Sequence, residues 1–182
     1  MRKLIFLLLI PGLGFAALTS ANAAVGEDCA YELWPIARDG DRVSAEPVLI
    51  GCFDTYSEAL AAGSGGGITA EAGVTPLTLS DTDAVTTSST VLIGTEWNET
   101  FYVGTSNSYF ASSTCSASTT WQVSYVGDAW NDTFSSGKGF GGCDRNRKFE
   151  HSNFGGASLL CTPNCSSYGS LSDEVSSLRW SH

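Results

Sequence analysis

The chain is mainly β, a sandwich of antiparallel strands preceded by a small α+β segment, and three observations predict this. From Val91 onward, short runs of aromatic and β-branched residues are separated by Gly, Asn, Asp and Ser at intervals of roughly ten residues, the rhythm of strands and turns. Within that stretch one pattern is written twice. Trp97-Asn98-Glu99-Thr100-Phe101-Tyr102-Val103-Gly104 is followed by Asn131-Asp132-Thr133-Phe134-Ser135-Ser136; Phe149-Glu150-His151-Ser152-Asn153-Phe154-Gly155-Gly156 is followed by Ser172-Asp173-Glu174-Val175-Ser176-Ser177. Each copy reads aromatic, four residues, aromatic, one residue, glycine, then an acid-or-amide loop ending in paired serines. Such duplication predicts one supersecondary unit made twice and packed against itself. The third observation is a single short helix signal, placed ahead of the repeats.

The elements follow in order. Met1-Arg2-Lys3, an apolar run from Leu4 to Leu18 and Ala21-Asn22-Ala23 match the basic, apolar and cleavage regions of a secretory signal peptide over residues 1–23. Pro11, Gly12 and Gly14 interrupt a run already short for a bilayer span, which disfavours a membrane anchor. Residues 24–67 then form the α+β extension. Its two apolar runs, Cys29–Ile36 and Val48–Phe53, flank the turn-like Arg38-Asp39-Gly40-Asp41-Arg42 and predict a hairpin. Thr55 with Glu58 three residues later is a capping box, so a short helix is expected to end at Gly63. Residues 68–90, rich in Thr, Ser and Ala, read as a linker. In the domain over 91–182, strands are expected from Val91, over Thr119–Val126 and at Leu178–Trp180.

Charge and cysteine content set the compartment and exclude some partners. The net charge is −10, and removal of Arg2 and Lys3 with the leader leaves seven bases against 19 acids, a net −12. That balance argues against nucleic-acid binding, which needs a basic face to displace counterions. It suits a soluble extracellular protein and a cation ligand. Six cysteines in an exported chain read as three disulfides, and proximity suggests Cys29–Cys52, Cys115–Cys143 and Cys161–Cys165. No Cys-x-x-Cys pair is present, so zinc ligation by these thiols is disfavoured.

The aromatic-x4-aromatic-x-Gly signature together with the Asn/Asp-Asn/Asp-x-x-Ser/Thr-Ser loop, both in duplicate, resembles the βγ-crystallin Greek-key family over residues 91–182. The resemblance implies two four-stranded Greek keys packed as a sandwich, a βγ-crystallin-like fold, with up to two Ca²⁺ ions shared between them. Gly104 and Gly156 fall where a folded hairpin needs positive φ or leaves no room for a side chain. Trp97 with Tyr102, and Phe149 with Phe154, are expected to pack as aromatic corners without chemistry of their own.

The loops carry the functional expectation. Ca²⁺ takes six to eight oxygens from carboxylates, amides, hydroxyls and backbone carbonyls. The first loop offers the side chains of Asn131, Asp132 and Ser135 and the carbonyl of Thr133. The second offers Asp173, the carbonyl of Glu174 and Ser176, but Ser172 stands where Asn or Asp belongs, so one stronger and one weaker site are expected. The resemblance implies that the serine of one repeat completes the site of the other, with Asn98 and Glu150 placed to add carbonyls. Alternatively, both loops simply end strands as Asx- and ST-turns.

Catalytic signatures are lacking: the sequence has two histidines, His151 and His182, and no His-Glu-x-x-His, Gly-x-Ser-x-Gly or Walker pattern. The expected product is a secreted non-enzymatic protein stabilised by calcium. A peptidase inhibitor is the alternative, with Cys161-Thr162-Pro163-Asn164-Cys165 as its loop and an extracellular protease as partner; an antimicrobial or toxin-like role, or a cell-surface partner, is a third. Sequons at Asn98, Asn131 and Asn164 matter in a host that glycosylates, where a glycan on Asn131 would obstruct the first loop.

Overall fold

A computed structural model describes residues 27–68, 78–79 and 90–182. The predicted signal peptide and most of the predicted linker lie outside the described residues. Ten strands, a helix and three single-turn 3₁₀ segments follow in the order β1 (Asp28–Asp39), β2 (Arg42–Phe53), α1 (Tyr56–Gly63), β3 (Val91–Trp97), β4 (Ser106–Ala111), β5 (Thr120–Val123), β6 (Ser136–Gly139), β7 (Arg145–His151), β8 (Gly155–Cys161), β9 (Asn164–Cys165) and β10 (Ser177–Ser181). Among the described residues no helix is long and apolar enough to cross a membrane.

The two repeats fold as Greek keys that exchange a strand. Strands β3 to β6 belong to the first and β7 to β10 to the second, yet β5 pairs with β10 and β9 pairs with β6. Each half of the sandwich therefore holds three strands of one repeat and one of the other, in the orders β4-β3-β6-β9 and β8-β7-β10-β5. This is the paired, crystallin-like arrangement, and every pairing within it is antiparallel.

The N-terminal hairpin departs from the antiparallel expectation. Strand β1 pairs in parallel with β4 and β2 in parallel with β5, joining both halves into one sheet of order β8-β7-β10-β5-β2-β1-β4-β3-β6-β9. The inner edges of both halves are thereby covered, which removes two rows of unpaired backbone groups. All three disulfides form as expected: Cys29–Cys52 ties β1 to β2 at directly paired positions, and Cys115–Cys143 and Cys161–Cys165 close their own loops.

Strand β3 is buried along its whole length because it is covered on both faces. Ile93 joins Tyr109, Trp121 and Trp180 in the sandwich interior, whereas Leu92 and Trp97 pack with Phe110, Phe140 and Leu60 beneath α1. A bulge between Leu92 and Gly94 shifts the alternation, and Gly94 lies so close to the Trp180 indole that a Cβ would overlap it. Inside the sandwich Lys148 and Glu96, both fully buried, form an ion pair, and the Tyr168 hydroxyl donates to the second Glu96 oxygen. Burial raises Glu96 above the ordinary carboxylate range against the pull of Lys148, and burial lowers Lys148.

The helix begins as expected, with the Thr55 hydroxyl accepting from the Glu58 amide at 3.3 Å. It ends at Gly63, as expected, and the turn out is made at Gly65 and Gly66, whose φ values are 61° and 83°. Gly63 is required for another reason: a Cβ there would overlap the Phe110 ring.

Candidate metal centre

The two loops meet, and their backbone hydrogen bonds correspond. The Asp132 amide donates to the Val175 carbonyl at 3.2 Å, and the Asp173 amide to the Phe134 carbonyl at 3.0 Å. Both aspartates are in the left-handed region, with φ of 58° and 59°, a conformation Asp tolerates better than most residues. The Ser135 amide donates to the Trp97 carbonyl at 2.8 Å and the Ser176 amide to the Phe149 carbonyl at 2.9 Å. Each loop is thus anchored to the aromatic that opens its own repeat.

The paired serines divide the work. The second of each pair locks the folded hairpin. Ser136 Oγ donates to the Glu99 carbonyl at 2.5 Å and accepts from the Tyr102 amide at 3.1 Å, and Ser177 Oγ does the same with His151 at 2.7 Å and Phe154 at 3.1 Å. Above them Trp97–Tyr102 and Phe149–Phe154 pack edge to face, with centroids 5.6 and 5.5 Å apart. Gly104 and Gly156 follow at φ of 79° and 73°, as the pattern requires. This locking role of Ser136 and Ser177 was missed in the sequence, although the doubled serine in both copies was its signal.

The first serine of each pair crosses to the other repeat. Ser135 Oγ donates to Asp173 Oδ1 at 2.9 Å. Ser176 Oγ lies 3.4 Å from Asp132 Oδ1 and donates to the Glu150 carbonyl at 2.8 Å. The structure therefore brings together Asp132, Ser176 and the Glu150 carbonyl in one cluster, and Asp173 with Ser135 in the other. Thr133 and Glu174 follow the aspartates in the chain. Among the described residues no three His, Cys, Asp or Glu side chains gather, and the hydrogen bonds join one aspartate to one serine hydroxyl in each cluster.

The clusters are unequal. Asn131 Nδ2 donates to Asp132 Oδ2 at 2.6 Å, while the buried Asn131 Oδ1 has no hydrogen-bond partner. An orphaned acceptor beside a carboxylate suits a hard cation better than a turn closed on itself. At the equivalent place in the second loop stands Ser172, which offers a shorter-reaching hydroxyl in place of the amide oxygen.

The disulfide loop proposed for an inhibitor is built into the sheet. Strand β9 pairs with β6, and the Pro163 carbonyl accepts from the Gly139 amide at 3.2 Å and from Asn146 Nδ2 at 3.3 Å.

No protein-family model and no curated protein matches the chain. Among solved structures it is similar to a βγ-crystallin from an archaeon, at 26% identity and a TM-score of 0.35, over 49% of this chain and 96% of that one. The N-terminal domain of protein S matches at 19% identity and a TM-score of 0.38, over 48% and 93%. A double mutant of a βγ-crystallin domain from Clostridium beijerinckii matches at 23% and 0.38, over 50% and 98%. The strand exchange between two Greek keys gives this chain a crystallin-like fold.

Proposed function

We propose that this crystallin-like protein is a secreted, non-enzymatic Ca²⁺-binding protein whose fold the ion stabilises. The observation that carries the reading is the crossing of serine hydroxyls between repeats: each aspartate has, as its neighbour, a hydroxyl from the other Greek key. A cation held there ties the two keys together. Each cluster supplies a carboxylate and a hydroxyl, with backbone carbonyls nearby, and water completes six to eight oxygens. Asn131 and Asp132, with Ser176 from the other repeat, make the stronger site, and Asp173 with Ser135 the weaker. With one carboxylate per site, affinity is expected on the order of 10⁻⁴ to 10⁻³ M, the range of extracellular modules.

A thermal melt with excess Ca²⁺ and with chelator tests the reading. Binding raises stability by RT ln(1 + [L]/Kd), about 2.7 kcal/mol at a hundredfold excess over Kd. Asp132→Asn, which removes the charge but tolerates the left-handed backbone at this position, removes most of that gain while the chelated protein melts nearly as before. An unchanged midpoint together with a flat calorimetric titration would falsify the proposal.

A further inference from the structure

Strands β7, β10, β5 and β2 lie side by side, and their outward faces carry a concentration of positive charge that the composition does not suggest. Four of the five described arginines, Arg42, Arg145, Arg147 and Arg179, line one depression of about 340 Å³ in a chain of net charge −10. They come from three separate strands, so no basic run in the sequence accounts for the grouping. The residues between them, Asn146, Lys148 and Trp180, are fully buried, which turns the arginines outward.

The arrangement is unfavourable by itself. Arg147 and Arg179 occupy directly opposite positions on antiparallel strands, where like charges destabilise a sheet. Asp41 is the one side-chain carboxylate lining the depression, and none of the four guanidiniums makes an ion pair among the described residues. His182, at the rim, lies 3.2 Å from Asp144 instead. Burial, then repulsion by Arg42 and Arg147, pulls Arg179 below its ordinary value. Two of the forks are nevertheless oriented. Arg179 donates to Gln122 Oε1 at 3.1 Å and stacks 4.7 Å from the Phe154 ring centre, and Arg147 donates to Ser158 Oγ at 3.2 Å. Thr120 and Ser181 add hydroxyls to the lining.

We propose that this depression binds a tetrahedral oxyanion, a phosphate or sulfate group, either as the free ion or as an ester on a saccharide. Guanidinium forks match such oxygens in pairs, and several converging forks recognise a multiply charged group where a single surface arginine does not. A bound dianion neutralises the repulsion between Arg147 and Arg179, so the ligand supplies the counter-charge that the fold leaves out.

The test is an amide chemical-shift titration of the calcium-free, chelated protein, so that its outcome is independent of the cation sites. Inorganic phosphate, inorganic sulfate and a sulfated disaccharide are the three probes, with chloride held constant. Saturable shifts centred on Arg147, Arg179 and Gln122 are expected with at least one probe. A free-ion site answers to the inorganic salts; an ester site favours the disaccharide by about tenfold or more. The Arg145→Gln, Arg147→Gln double variant weakens binding by at least about tenfold, the loss of one or two charge-assisted hydrogen bonds. Arg38→Gln removes an arginine outside the depression and leaves binding unchanged. Shifts that fail to saturate with all three probes, or an equal loss in Arg38→Gln, would overturn the proposal. A double variant that melts far below the parent without ligand would reassign these arginines to holding the sheet.

Discussion

Ser135 donates its hydroxyl to Asp173 across 2.9 Å although the two residues stand 38 positions apart, one in each Greek key. The contact makes the Asp–Ser clusters properties of the pair of repeats rather than of either loop. Ser135→Ala is therefore expected to weaken the site that Asp173 anchors, and Ser176→Ala the site that Asp132 anchors. Each costs about 1 kcal/mol of apo stability, the worth of one hydrogen bond. Calorimetric titration of both variants checks this crossing; if each serine governed its own loop, the two losses would be interchanged.

The buried Lys148–Glu96 pair gives a second expectation. Lys148→Met strands a carboxylate in the core and should cost about 3–5 kcal/mol near neutral pH, whereas the double change with Glu96→Gln should be much milder. The sign with pH follows from the raised Glu96. A carboxyl whose folded pKa lies above its unfolded value contributes stability fully present below the unfolded value and lost as pH rises through the folded one. Lys148→Met should thus recover melting temperature as the pH is lowered from neutral through the acid range. A midpoint that fell steadily over that range would contradict it.

Gly63→Ala sets two effects against each other. Alanine is better than glycine inside a helix by about 1 kcal/mol. The added Cβ overlaps the Phe110 ring, which is fully buried beneath α1 and cannot swing aside, and overpacking costs about 1–3 kcal/mol. A net loss is expected, read as a lower denaturant midpoint at unchanged slope. A gain would mean that α1 moves freely over the sheet.

Replacing both Cys29 and Cys52 by serine should cost about 3 kcal/mol through the chain freedom restored to a 23-residue separation. The loss is expected to appear first as increased hydrogen exchange in β4 and β5, whose inner edges the hairpin covers. Uniform exchange throughout the sandwich would show instead that hairpin and Greek keys open as one unit.

The sequence made the repeats legible because their devices are local. A positive-φ glycine, an aromatic five positions from its partner and a doubled serine are each dictated within one hairpin or one loop. The capping box at Thr55 and the three disulfides were legible for the same reason. The helix end at Gly63 was legible, but the packing constraint on that glycine was not, because it comes from the Phe110 ring on another strand. The parallel docking of β1 and β2 was hidden too: the two apolar runs read as the arms of a hairpin, and nothing local names their outer neighbours. At the candidate site the aspartates and serines could be named, but their pairing across repeats came only through the family resemblance. The arginine face was invisible, since Arg42, Arg147 and Arg179 meet only once three separate strands are laid side by side.

The hairpin that joins the two halves also constrains the order of assembly. Its own contacts are short in sequence and closed by Cys29–Cys52, so it can form early. Its outer contacts span 78 positions of the chain from Asp28 to Ser106 and from Ser44 to Gln122, and 99 from Tyr31 to Trp130. Such distant pairings form late and slow the search for the native state. An oxidised hairpin waiting to be clasped between two newly closed Greek keys is the rate-limiting step this topology implies.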